Sequence, residues 1–223
     1  MKVLLLLAII LALGCCENWA VLVAGSHTWS NYRHQADVYH AYQVLIKGGF
    51  DPDRIITLAY DDIAHHLTNP FKGKVFNKPT YKEPGVDVYA GLKIDYSKSH
   101  VTPEMFQAVL EGNKAFVKGK GTERVLESTS ADNVFIFFSD HGAPGIIAFP
   151  TKNLYADHML QSFAKMSGKY KKLVFYLEVR SSLFRHANQA PCSSTCPKIL
   201  ESMPFQLPTL PNPLGEPTAH LMM

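Results

Sequence analysis

The chain has 223 residues, 47% hydrophobic and 18% charged, a globular composition that suffices for one sizeable core and excludes general disorder. Its formal charge is +3, with no basic run or aromatic-interleaved patch, so no nucleic-acid partner is expected. Four cysteines occur, Cys15 and Cys16 near the start and Cys192 and Cys196 near the end, which excludes a disulfide-stapled core.

Met1 to Cys16 opens on Lys2, runs apolar from Val3 to Leu13 and closes on the small residues Gly14 and Cys16. That is the pattern of a secretory signal peptide cleaved near Cys16. The apolar run is well below the roughly 20 residues that cross a bilayer, so no membrane span is expected after cleavage. Asn-x-Ser/Thr acceptors are absent from the sequence.

Trp19 to Ala24 reads as a strand ending at Gly25-Ser26. Tyr32 to Lys47 follows as a helix, with Val38, Ala41, Tyr42 and Leu45 at helical spacing and Gly48-Gly49 as its stop. Arg54 to Tyr60, Val134 to Phe138 and Leu173 to Leu177 read as three further strands, ending at Asp61-Asp62, Ser139-Asp140-His141-Gly142 and Glu178. Helices are expected over Pro103 to Leu110, with Thr102 as N-cap, and over Asp157 to Met166. Ala64 to His100, rich in Pro, Gly, Lys and Tyr, is read as a long surface excursion. Short apolar strands alternating with helices predict an α/β fold with a parallel sheet of about four strands, helices on both faces, and ligands beyond the strands' carboxyl ends. From Val179 onward no period is visible, and seven of the 14 prolines fall in the last 44 residues, so composition predicts a disordered C-terminal tail.

His141 stands directly after a buried strand and before Gly142, a placement that suits a general acid or base beside an oxyanion hole and equally a histidine capping a strand end. Asn31, Arg33, His34, Asp37 and Glu178 gather polar groups at the same sheet edge, able to read a small polar side chain or simply to form a surface ion-pair network. The ten histidines show no metal-ligand spacing, so neither a metal nor another cofactor is expected.

Asn18-Trp-Ala-Val-Leu-Val-Ala-Gly-Ser26, Asn31-Tyr-Arg-His-Gln-Ala-Asp37, His40-Ala-Tyr-Gln43, Tyr60-Asp-Asp-Ile-Ala64, Asp87-Val-Tyr-Ala-Gly91, Val101-Thr-Pro-Glu104 and Phe138-Ser-Asp-His-Gly-Ala143 resemble the legumains, asparaginyl cysteine endopeptidases. The resemblance runs from Asn18 to Glu178, a partial catalytic domain spanning 17–178. It implies a caspase-like α/β fold, cleavage of protein or peptide substrates after asparagine, and a secreted or lysosomal/vacuolar location. By the same resemblance His141 is the catalytic histidine, Asn31 its supporting residue, Gly142 an oxyanion-hole contributor, and Arg33, His34 and Glu178 the asparagine pocket. Asp140 matches an aspartate that can cyclise to an aspartimide and is linked to ligase activity. Tyr39 stands where many members have a cysteine.

The resemblance breaks after Glu178. The family continues Glu-Ala-Cys, whereas this chain reads Glu178-Val179-Arg180, so an arginine occupies the nucleophile's place and no cysteine is in frame there. Reading each codon's last base with the next codon's first two restores family sequence: Arg185 to Ser193 permits Ala-Cys-Glu-Ser-Gly-Ser-Met-Phe. Met203-Pro204 forces alanine, and Gln189-Ala190 permits only glycine or serine, both as the family has them. Arg185 to Met223 therefore reads as out of frame, with Val179 to Phe184 inserted and Cys192 and Cys196 accidental. Three functions follow as alternatives: a legumain-type endopeptidase inactive in this form, a non-catalytic decoy binding asparagine-containing peptides or inhibitors, or a splice or gene-model product without function.

Overall fold

The computed structural model of the chain describes residues 16–78, 85–180 and 219–222. Four strands run parallel in the order β2 (Ile55–Leu58), β1 (Asn18–Ala24), β3 (Asn133–Ala143), β6 (Lys172–Arg180). These are the four strands expected from sequence, and their central residues are apolar on both sides because both faces of the sheet are covered. The period of two assigns Val21 and Val23 to one face and Ala20, Leu22 and Ala24 to the other, and all five are buried.

Helix α1 (Tyr32–Lys47) packs on the second face, burying Ala36, Val38, Tyr39, Ala41, Tyr42 and Leu45. Its last turn closes where Gly48 N donates to Val44 O at 2.9 Å, and Gly49 takes φ +86°, a backbone region that glycine enters without strain. On the first face lie α2 (Pro103–Glu111) and α4 (Ala156–Met166), whose Met105, Phe106, Val109, Met159 and Met166 meet Ile136, Phe138, Phe175 and Leu177. Thr102 caps α2 by accepting from Met105 N at 3.2 Å, as its sequence predicts. A single-turn helix α3 (Lys114–Val117) follows α2. Each large side chain buried between these layers contributes roughly 1.5–3 kcal/mol of transfer free energy.

The structure departs from the expected pattern in three places. First, β3 and β6 run on to Ala143 and Arg180, because they pair with each other up to His141 and Arg180. Second, β3 turns into a small antiparallel hairpin, β4 (Ile146–Ala148) and β5 (Asn153–Tyr155), too short to give a sequence signal. Third, β7 (Ala219–Met222) lies antiparallel on β6, so the described sheet has seven strands and is mixed. Beyond Arg180 only β7 is described, and the tail, Cys192, Cys196 and nearly all of the signal segment otherwise lie outside the described residues.

The excursion between β2 and α2 crosses the surface but sends Val75, Val88 and Tyr96 into the core. Asn69 holds it, donating from Nδ2 to the carbonyls of Ile63, Ala64 and Lys74 at 3.0–3.1 Å. Asp95 ties its far end to β2, accepting from Thr57 N and from Arg124, each at 2.9 Å.

Candidate active site

The carboxyl ends of β1, β3 and β6 meet at one edge of the sheet and place the polar residues there. Gly25, just beyond β1, donates its N–H to Ser139 O at 3.1 Å. A Cβ at Gly25 would lie 2.4 Å from Asp140 Oδ2 and 2.5 Å from Ala148 O, so only glycine lets β1 and β3 end this close together. A shallow cleft of about 160 Å³ opens there, lined by Ser26, His27, Asn31, Asp140 and His141 among others.

His141 is exposed at this edge, and its Nε2 lies 2.9 Å from Asn31 Oδ1 across 110 residues of sequence. Asn31 Nδ2 donates to His27 O at 3.0 Å, which fixes the amide so that Oδ1 faces the imidazole. The network thus assigns the His141 proton to Nε2. Asn31 occupies the N-cap position of α1 but makes no capping bond, its side chain being committed to His27 and His141.

His34, one turn into α1, is buried beside His141, their rings edge to face at 4.8 Å. Its Nδ1 makes a 2.6 Å bond with Ser26 Oγ, while Asp140 Oδ1 sits 3.2 Å away without hydrogen-bond geometry. Burial first, then the charges of Arg33 and His141, push the His34 pKa down to about 3, so the ring is neutral. Burial pushes Asp140 up to about 7 against the bond from the His141 backbone N–H, Arg33 and Ser26. The close histidine–aspartate approach is therefore not an ion pair at neutral pH.

Arg33 sits among three carboxyls, those of Asp37, Glu178 and Asp140, and lowers the pKa of each. Burial raises Asp37 to about 7, with Glu178 raising it further while Arg33 and a 2.5 Å bond from Asn77 Nδ2 oppose the rise. Glu178 is likewise raised by burial and lowered by Arg33. This cluster sets a guanidinium beside carboxyls whose pKa values burial raises, a combination of donors and acceptors suited to a small amide.

The sequence-derived residues thus fall into two neighbouring groups. His141, Asn31 and His34 form one, and Arg33, Glu178 and Asp37 the other, so the expected substrate set of Arg33, His34 and Glu178 is divided, with His34 buried between His141 and Arg33. Gly142, expected beside an oxyanion hole, lies within β3 opposite Ile147, in the first step of the hairpin. Position 180 is in register opposite His141. Sequence spacing missed one grouping: ligand atoms of His34, Asp140 and His141 lie within 4.8 Å of one another, a wider spread than zinc bonds of about 2.1 Å draw together. Only folding across α1 and β3 brings these three together, so no spacing could have found them.

The sequence model of the peptidase C13 family matches residues 18–189. Legumain of Rattus norvegicus is 46% identical over 168 residues, 74% of this chain and 38% of the relative. Hemoglobinase of Schistosoma japonicum is 48% identical over the same shares, and the vacuolar-processing enzyme beta-isozyme of Arabidopsis thaliana is 46% identical over 76% of this chain and 34% of its own length. The chain spans less than two fifths of the length of these relatives.

Proposed function

The chain belongs to the peptidase C13 family, and from that membership we propose that it carries the acid–base half of a legumain-type cysteine endopeptidase, without the thiol that would make it active. The observation that carries the reading is the 2.9 Å bond between His141 Nε2 and Asn31 Oδ1 at the carboxyl end of β3. In the reaction a cysteine thiolate attacks the backbone carbonyl carbon of asparagine, forming the C–S bond and expelling the amine of the next residue, which takes its proton from the imidazolium of His141. Asn31 keeps that imidazole in one tautomer. Gly142 contributes to oxyanion stabilisation, and Arg33, His34 and Glu178 select the asparagine of a protein or peptide substrate, with Asp37 completing the pocket.

At position 180, in register with His141, this chain has arginine, which stays protonated and is no nucleophile. The codon pattern from Arg185 supports reading residues 179–223 as inserted and out-of-frame sequence. The opening segment and the relative named as a vacuolar-processing enzyme support the secretory pathway, with a secreted or lysosomal/vacuolar destination. Among the described residues no helix is long and apolar enough to cross a membrane.

Purified chain should leave an asparagine-containing fluorogenic peptide uncut at acid pH, while a version with the family's frame and cysteine restored should cut it. Turnover by the chain as it stands, abolished by a thiol-directed reagent, would overturn the proposal. The Arg33–Glu178–Asp37 pocket favours a decoy as the second reading, distinguished by calorimetric binding of an asparagine peptide without cleavage.

A further inference from the structure

The peptide unit joining His27 to Thr28 is held on both sides. Its carbonyl oxygen, on His27, accepts from Asn31 Nδ2 at 3.0 Å; its N–H, on Thr28, donates to Asp62 Oδ2 at 2.7 Å. The two groups point to opposite sides of one rigid plane, so the bond on one side fixes the direction of the other. The plane is kept at a cost: Thr28 has φ +75° and ψ 154°, a region that a β-branched residue avoids. Asp62 is itself fixed, its Oδ1 accepting from Gln35 Nε2 at 2.7 Å, and Gln35 Oε1 is committed to Tyr39 OH and to Asp61 N at 2.9 and 3.1 Å.

We propose that Asp62 is a positioning residue for the histidine, acting through the His27–Thr28 peptide and the Asn31 amide to hold His141 in a single orientation. The proposal rests on the reading of His141 and Asn31 as a catalytic pair. Turning the peptide plane over would take Thr28 out of the positive-φ region by about 180° and relieve its backbone. It would also aim the His27 carbonyl at the Asp62 carboxylate, and that repulsion keeps the strained plane in place. With the plane turned, Asn31 Nδ2 loses its acceptor and nothing distinguishes the two ends of the amide, so His141 Nε2 no longer meets an oxygen by necessity. Asn31 forgoes capping α1 to serve this chain of bonds, and Asp62 lies 31 residues away in sequence in a loop with no chemistry of its own.

The test is the imidazole Nε2–H proton of His141, observed by NMR in the full chain labelled on histidine nitrogen and assigned with His141→Ala. The wild type should show one slowly exchanging downfield resonance, and Asn31→Ala should abolish it. Asp62→Asn should abolish or broaden it as well. With Gln35 unable to turn, the new carboxamide presents its NH2 to Thr28 and favours the flipped plane. Adding Thr28→Gly, which removes the backbone penalty of the native plane, should restore the resonance in part, an outcome that a merely structural role for Asp62 would not produce. Retention of the resonance in Asp62→Asn, or absence of any rescue by Thr28→Gly, overturns the proposal. Retention in Asn31→Ala instead overturns the pairing of Asn31 with His141. Should Asp62→Asn fail to fold, amide exchange in the wild type decides: the Thr28 N–H must be protected, and a rapidly exchanging one refutes its bond to Asp62.

Discussion

Asp37→Asn should make the protein more stable at neutral pH while changing it much less in acid. In the folded chain the Asp37 pKa is raised from 3.8 to about 7, chiefly by burial and then by Glu178. Between those values the folded state keeps a proton that the unfolded state has released, so stability is fully present below pH 3.8 and is lost as pH rises toward 7. A rise of about three units at about 1.36 kcal/mol per unit amounts to roughly 4 kcal/mol above pH 7, a large part of the 5–15 kcal/mol typical of a whole domain. Asparagine has nearly the shape of the protonated acid and can still accept from Asn77, so the variant avoids this loss. Urea unfolding at pH 4.5 and 7.5 should therefore show the variant ahead by up to about 4 kcal/mol at the higher pH and by only about 1 kcal/mol at the lower. Asp140, also raised to about 7, gives the wild type a second contribution of the same sign. His34 acts oppositely: with its pKa lowered from 6.5 to about 3, its contribution is lost as pH falls through that interval. Parallel stability profiles for wild type and Asp37→Asn would refute the assignment of a buried, protonated carboxyl at this position.

Gly25→Ala should lower the urea midpoint by the equivalent of about 1–3 kcal/mol, since its methyl would meet Asp140 Oδ2 and the Ala148 carbonyl, the latter backbone that cannot simply rotate away. Phe106→Ala, at a fully buried position between α2 and the sheet, should cost about 3–5 kcal/mol by the same measurement, whereas Leu67→Ala, 92% exposed, should stay within about 0.5 kcal/mol. Thr102→Ala should lose about 1 kcal/mol with its capping bond to Met105, and Thr102→Ser should recover most of it.

Much of this fold was legible because its signals are local. The span of α1 follows from apolar spacing and the Gly48-Gly49 stop, and α2 from Thr102 and Pro103. What stayed hidden depends on partners distant in sequence. The extension of β3 through Asp140 and His141 is imposed by pairing with β6, since nothing polar there suggests a strand. The burial of Val75, Val88 and Tyr96 rests on side chains such as Asn69 and Asp95 bonding to backbone, which leaves no periodic trace. At the site, His141, Asn31, Arg33 and Glu178 could be singled out as chemical groups at strand and helix ends, with their roles coming from family resemblance. Asp62 could not, because it acts on a backbone N–H that every non-proline residue possesses. The neutrality of His34 also needed the fold, being a matter of depth rather than residue type.

The register of β6 against β3 has a consequence for how such a site tolerates change in gene structure. Along a strand, positions two apart share a face, so 176, 178 and 180 stand on one side of the sheet and 177 and 179 on the other. In the endopeptidase proposed above, specificity and attack would thereby be tied to the same parity: a residue reading the substrate at 178 and a nucleophile at 180 must be separated by one residue. An insertion of one residue between them would send the nucleophile to the opposite side of the molecule, into the core beneath α2 and α4. A splice boundary at this point of the gene is therefore unforgiving in a way that one in the 64–100 excursion is not, since an added residue in a loop shifts a path, while an added residue here exchanges inside for outside.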